Sequence, residues 1–347
     1  MKTRKTKLVA SLFVLVALLT FSMVGFAGSL EPTEPPGSTM KTLNQIEPRT
    51  DVQALSGNGS ALYIISNPGS YYLSANITGE PNKDGIVIDS NEVSLNLAGF
   101  ALIGVTDSNN GIRINGQKSN IIIEDGSINT WDQTGIYADQ AAAVNIKNLS
   151  CSKNGGDGIR AGKDNIIQNC IISDNDEFGV YAKDNCLIRG SVARSNGSGG
   201  FKIYSGGMIE NCVAEQNGFE GFSANYETRI INCVATANRW GIGISGKSNF
   251  VYGNCLTINN EKGIRCENNN NRIEGNHIAG SDYDSGIGIS IEDSAEGNLI
   301  IKNSVTGYQS AYSISSGNAY GPIIDVSSGG DLAAISGAEH PWSNFQY

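Results

Sequence analysis

Proline, histidine, charge and helical periodicity are all scarce in this 347-residue sequence. With 8 prolines, and 43 glycines that do not recur at every third position, it cannot form a collagen triple helix. Charged residues make up 17%, and the Ala, Glu, Lys and Leu richness of a coiled coil is missing. Two histidines, His277 and His340, leave no His triad and no zinc spacing. A phosphate loop and a Gly-Gly-x-Gly-x-Asp calcium repeat are absent too. Beyond the N-terminal export segment no run keeps helical spacing for more than a turn, which excludes helical repeats, and no Leu framework exists for leucine-rich repeats. What is present is a 39% hydrophobic content, enough to bury a core. The net charge of −10 argues against nucleic acid as the main partner.

Lys2, Arg4, Lys5 and Lys7 precede an apolar run over residues 8–21, and Gly25 and Ala27 supply small residues at a cleavage site. This pattern is a secretory signal peptide, residues 1–27, because the run is too short to span a bilayer. Its removal takes the net charge to −14. Residues 28–41, with the prolines around Glu31, read as an exposed spacer. The mature protein is expected to be secreted, extracellular and monomeric.

A repeat decides the fold. Asn154, Asn175, Asn196, Asn217, Asn238 and Asn259 are each 21 residues apart. Gly before an apolar residue recurs in step, as in Gly158-Ile159, Gly179-Val180, Gly200-Phe201, Gly221-Phe222 and Gly241-Ile242. A third phase places Asn before a small residue and an aliphatic one, as in Asn211-Cys212-Val213, Asn232-Cys233-Val234, Asn254-Cys255-Leu256 and Asn276-His277-Ile278. Each period therefore holds three short strands separated by turn residues. The expected fold is all-β, a single-stranded right-handed parallel β-helix of about ten coils between Gly85 and Ser315. Residues 42–78 are expected to cap its first coil and residues 321–347 its last, since an open end is a sheet edge. The seven Cys, an odd number, suit stacking rather than bridging, with Cys212, Cys233 and Cys255 in successive coils and His277 in the same slot.

In the Gly-Ile strand Ile112, Ile136, Ile159, Val180 and Phe201 point inward, so the residues after them point outward. Reading up the stack gives Arg113, Tyr137, Arg160, Tyr181, Lys202, Ser223, Gly243 and Arg265. A second outward column includes Asp139, Lys183, Tyr204, Asn225 and Glu267. From Arg113 to Lys202 is four coil steps, roughly 19 Å, which suits several sugars of an extended anionic polysaccharide. Arg113, Tyr137, Lys183, Tyr204, Asn225 and Arg265 are candidate substrate contacts, and small Ser223 and Gly243 leave space beside them. Cleaving a uronate polymer by β-elimination needs a cation on the carboxylate, a base for the C5 proton and an acid for the leaving oxygen. Arg160, Lys202 and Tyr181 fill these roles in that order, with Arg160 and Lys183 poised to favour neutral Lys202; Tyr181 as base and Lys202 as acid is equally open.

This coil pattern resembles the right-handed β-helix of the pectate-lyase superfamily over residues 85–315. Alginate and chondroitin lyases of that superfamily use a Lys base with an Arg or Tyr partner on nearby coils, and Lys202 with Tyr181 and Arg160 matches by position rather than by motif. The resemblance implies a polysaccharide lyase, with alginate the preferred substrate. Many members use Ca²⁺; no compact acidic cluster lies in the first column, so no cofactor is the favoured expectation, with Ca²⁺ left open, and Asp174, Asp176 and Glu177, which could bind it, read first as a solvated turn. Two rivals stand beside this reading. Pectate-type lyases or hydrolases share the fold, but hydrolysis needs paired carboxylates, and outward acids are missing from the central strip, with only Asp164 and Asp184 nearby. A non-catalytic carbohydrate-binding envelope protein would use Trp131 and Trp240, read as exposed in turns, with Tyr226.

Overall fold

Among the described residues the strand pairings are parallel and, apart from that of Ser304–Ile314 with the tail strand Asn344–Gln346, join a residue to one about 20–28 positions away, the signature of a chain that climbs by one coil per turn. The computed structural model describes Arg49–Tyr347; the signal peptide and spacer, and the start of the expected cap, lie outside the described residues. Three walls recur. In the central coils the first wall is built from Ile159–Lys163, Val180–Asp184 and Phe201–Ser205, the second from Ile166–Gln168, Leu187–Arg189 and Met208–Glu210, and the third from Ile171–Ser173, Val192–Arg194 and Val213–Glu215. The fold is the right-handed parallel β-helix.

The first wall has twelve rungs. Its outward column runs through Ile64, Val87, Arg113, Tyr137, Arg160, Tyr181, Lys202, Ser223, Gly243, Arg265, Ser290 and Ser313. Eleven of these lie between Gly85 and Ser315, against the expected ten or so. The twelfth, Ile64, comes from Ala61–Ile65, which with Gly69–Tyr72 and Ile77–Thr78 forms a coil of its own. At the other end Asn344–Gln346 pairs with both Ser304–Ile314 and Ile323–Asp325.

Each bend between walls is made by a residue in the left-handed region. Asn169, Gly190, Asn211 and Asn232 have φ of 54°, 58°, 53° and 53°, and Asp164, Asn185 and Gly206 have 58°, 57° and 64°. Asn and Gly tolerate this conformation best, which is why they punctuate the repeat. Inside, Ile159, Val180, Phe201, Phe222 and Ile242 are fully buried on the first wall, as are Ile167, Ile188 and Ile209 on the second. Phe201 and Phe222 stack with centroids 5.5 Å apart. Burying such a side chain contributes roughly 1.5–3 kcal/mol.

Buried polar ladders lock the coils in register. The Nδ2 groups of Asn154, Asn175, Asn196, Asn217 and Asn238 each donate to Oδ1 of the Asn one coil on, at 2.9 to 3.1 Å, and their backbone N–H groups donate to the same oxygen. Another ladder passes Asn254, Asn276 and Asn303 and ends on Asn344 of the tail. One amide is left over. Asn165 Nδ2 has no partner among the described residues, because the next coil carries Cys186, whose thiol donates to Gly162 O instead.

The Asn-Cys slot splits in two. Cys212 and Cys233 point inward beneath left-handed Asn211 and Asn232. Cys255 does not follow them: its ladder place belongs to Asn254, and Cys255 pairs outward with Val234 and His277. His277 is therefore an exposed wall residue, with Nδ1 3.0 Å from Ser304 Oγ. The same letters recur one place later because Gly253 has taken over the bend. All seven thiols are free.

Candidate functional site

The first outward column is assembled as its spacing implies. Arg160, Tyr181 and Lys202 are direct neighbours on successive rungs, with Tyr137 on one side and Ser223 on the other. Inward Ile159, Val180 and Phe201 fix this direction, since a one-residue slip would turn the column into the core.

Arg160 is held from two sides. Its Nε donates to Asp139 Oδ1 at 3.0 Å and its Nη1 to Asp157 Oδ2 at 3.0 Å. Its guanidinium lies 4.5 Å from the centre of the Tyr181 ring. Asp139 also accepts from Lys183 Nζ at 2.8 Å. Lys183 reaches it past Gly162, where a Cβ would lie 2.1 Å from Ala141 O in the bulge of Ile136–Ser152. Desolvation pushes the Asp139 carboxyl up, but hydrogen bonds from Lys183 and Arg160 outweigh it and hold the group below its ordinary range. Asp157 moves the other way: burial raises it, and the Arg160 bond offsets this only in part. Acids are thus present in the strip, contrary to the expectation from sequence. Both are counter-ions of Arg160, not a free carboxylate pair.

Lys202 differs from the other cations of the column. Its ammonium sits over Phe178 and Tyr181, 5.2 and 5.6 Å from the ring centres, and has no ion-pair partner among the described residues. Phe178 fits there because its ring fills the space over Gly199, where a Cβ would be 2.8 Å from Cε1. Both cations expected to act on Lys202, Arg160 and Lys183, are compensated by carboxylates.

The clearing expected over Ser223 and Gly243 is filled. Glu220 lies across Gly243, where a Cβ would meet its Cγ at 2.9 Å and Oε1 at 3.1 Å. Burial raises the Glu220 carboxyl above its usual range, against the opposing pull of its own backbone N–H and of Lys202.

The remaining candidates spread outward. Tyr204 is 45% exposed and meets Tyr226 edge to face at 6.2 Å, and Asn225 Oδ1 accepts from Ser245 Oγ at 2.6 Å. Arg113 is tied to Asp84 at 2.6 Å, and Arg265 to Glu292 at 3.0 Å and to Glu267, with its guanidinium 4.4 Å from the Trp240 ring centre. These two arginines bound the strip from its ends rather than joining the centre. A cleft of about 330 Å³, lined by Lys118, Ser119, Asp139, Lys163 and Lys183, continues the strip past the bulge.

Neither Trp131 nor Trp240 is an exposed platform. Trp131 is buried inside the N-terminal coils, its indole donating to Leu102 O, and Trp240 is 9% exposed, packed by Phe219, Arg239 and Arg265 and donating to Glu261. Sequence reasoning missed Asp157, Phe178 and Glu220. All three occupy the position just before the Gly-apolar pair, a column that reads Asp157, Phe178, Gly199, Glu220, Trp240, Lys262 and could have been stacked the same way.

Comparison with known proteins bears on the fold. The right-handed β-helix region family matches residues 60–209, and the family described as periplasmic copper-binding protein (NosD) matches residues 162–321. No curated protein matches the chain. Among solved structures it is similar to the A-module of mannuronan C-5 epimerase AlgE4 of Azotobacter vinelandii, with 17% identity, a TM-score of 0.55 and coverage of 72% of this chain and 91% of that one. It is also similar to the A-module of AlgE6 from the same organism, with 15% identity, a TM-score of 0.53 and coverage of 79% and 99%. Copper favours thiol, thioether and imidazole donors. Among the described residues no three His, Cys, Asp or Glu side chains converge, and six of the seven thiols are buried, so the residues do not fit a copper centre of that kind.

Proposed function

We propose that the chain is an exported enzyme that cleaves an acidic polysaccharide of uronic acids, alginate first, by β-elimination. The observation that carries this reading is Lys202, an ammonium without a counter-ion among the described residues, on an aromatic pair, in an outward column whose other cations, Arg113, Arg160 and Arg265, are matched by carboxylates. A uronate carboxylate supplies the missing charge. Pairing with Lys202 makes the C5 proton more acidic and stabilises the enolate that forms on its loss. The phenolate oxygen of Tyr181, one rung away, takes that proton. Arg160 stacks on the Tyr181 ring and, held by Asp139 and Asp157, serves as a positioning residue. Tyr137, Lys183, Tyr204 and Asn225 contact neighbouring sugars, and Arg113 and Arg265 mark the two ends.

A second reading keeps the site and changes the outcome. The two similar A-modules are named mannuronan C-5 epimerases, and most of each is covered by the likeness. Epimerisation shares the removal of the C5 proton and then returns a proton to the opposite face.

The test mixes purified protein with alginate, pectate and chondroitin in deuterated buffer, with and without EDTA. A rise in ultraviolet absorbance from unsaturated uronate ends supports the lyase, and its EDTA response tests for calcium. Deuterium at C5 without that rise supports the epimerase. Neither signal on any polymer overturns both. Lys202→Ala should reduce turnover by about 10³-fold or more, the scale of a lost charge-stabilising group, while the fold stays intact by circular dichroism.

A further inference from the structure

The structure assigns a second proton-transfer group to this strip. We propose that Glu220 is the acid that protonates the leaving glycosidic oxygen, an inference that rests on the lyase reading above.

Glu220 starts the strand Glu220–Tyr226, one rung beyond Lys202. Its side chain does not leave the wall. It folds over Gly243 of the next rung, a place that only glycine keeps open. The carboxyl is half-buried, and no side chain donates to it among the described residues. The charged groups that bear on it are Lys202 and Arg265, which favour its anion, and Glu267, which opposes it. Arg265 is already bound to Glu292 and Glu267. Once Lys202 has paired with a uronate carboxylate, its pull on the Glu220 anion weakens, and the Glu220 backbone N–H remains as the main group favouring the charged form against burial. Burial holds this half-buried carboxyl above its usual range, the direction that favours the protonated form a general acid needs.

The bonds balance without a further reactant. The C5–H bond breaks and its proton goes to the Tyr181 phenolate. The electron pair becomes the C4–C5 double bond. The C4–O bond breaks with its pair on oxygen, and that oxygen takes the proton of Glu220, which is left as carboxylate. Tyr181 and Glu220 stand on rungs on opposite sides of Lys202, so the two proton transfers flank the anchored carboxylate.

Three forms of the full chain test this: the natural protein, Glu220→Gln and Gly243→Ala. Turnover of alginate is followed by ultraviolet absorbance across pH, and the carboxyl of Glu220 is titrated by carbon NMR without substrate. Glu220→Gln should lose about 10²-fold or more in kcat, with KM within threefold and the alkaline limb of the pH profile gone. Gly243→Ala keeps the carboxyl but pushes it aside, and should show a similar loss with an unchanged melting temperature. The NMR midpoint should lie above that of exposed glutamates. A natural protein that cleaves while Glu220→Gln cleaves as well, or keeps the alkaline limb, overturns the role of Glu220 alone. A natural protein that exchanges C5 hydrogen without cleavage removes the leaving group and overturns it too. Inactivity on every uronate polymer overturns this inference together with the function it rests on.

Discussion

The N-terminal coils and the central coils close the same core by different means. Along the outward column the steps from Ile64 to Arg160 are 23, 26, 24 and 23 residues, whereas the next three, from Arg160 to Ser223, are 21 each. The even coils are held by the Asn154–Asn259 ladder. In the uneven coils the place one step before Asn154 belongs to Trp131, whose backbone N–H still donates to Asn154 Oδ1. Its ring fills the interior against Gly79, Gly85 and Gly111, which bring no Cβ into its way. An amide ladder demands identical neighbours and so imposes equal coils. A large apolar side chain demands only volume and tolerates unequal ones. Arg160, Tyr181 and Lys202, which must stand in line to act together, lie on the evenly spaced part.

The sharpest way to break this comparison is Trp131→Ala. It should cost about 3–5 kcal/mol, the range for emptying a large aromatic site. Hydrogen exchange should accelerate mainly before residue 152, leaving the ladder protected. Uniform acceleration along the whole helix would show one cooperative unit and no division between the regions.

Next in size is Asn196→Ala. Asn196 accepts from the backbone and side chain of Asn175 and donates to Ile172 O and Asn217. Losing these bonds and stranding buried partners should cost about 2–4 kcal/mol in urea unfolding. The damage should centre on the coils around Asn196 and reach the Lys202 rung. An effect below about 0.5 kcal/mol would mean that apolar stacking alone holds the even coils.

The smallest effect concerns the two carboxylates on Arg160. Asp139 has a folded-state pKa below its unfolded value, so it stabilises the fold above about pH 4 and that contribution fades as pH falls through the folded value. Asp157, raised by burial, gives the opposite slope: stability declines as pH rises from its unfolded to its folded value. Asp139→Asn should flatten the acid limb of a stability-pH curve by on the order of 1 kcal/mol, and Asp157→Asn should steepen it. Equal responses from the two variants would mean that Arg160 holds both carboxylates alike.

Much of this was readable from residue spacing. Once the 21-residue period places Ile159, Val180 and Phe201 inside, Arg160, Tyr181 and Lys202 follow as an outward column, because side chains alternate along a strand. The Cys255 slot was not readable, since Asn254-Cys255 repeats the letters of Asn232-Cys233 with Asn254 moved from the bend into the ladder. Trp131 looked like a turn residue because it falls outside any strand and its glycine surroundings come from two other coils as well as its own stretch of chain.

By itself, the sequence determined the parallel β-helix, the direction of the first-wall residues and the line of cations and tyrosines, because a regular period carries strand register from coil to coil. Only the tertiary structure decided which charges in that line are free. Asp139 and Asp157 reach Arg160 diagonally, across a bulge and from a turn, and Glu220 lies in a glycine gap, and such placement depends on side-chain packing between coils rather than on the repeat.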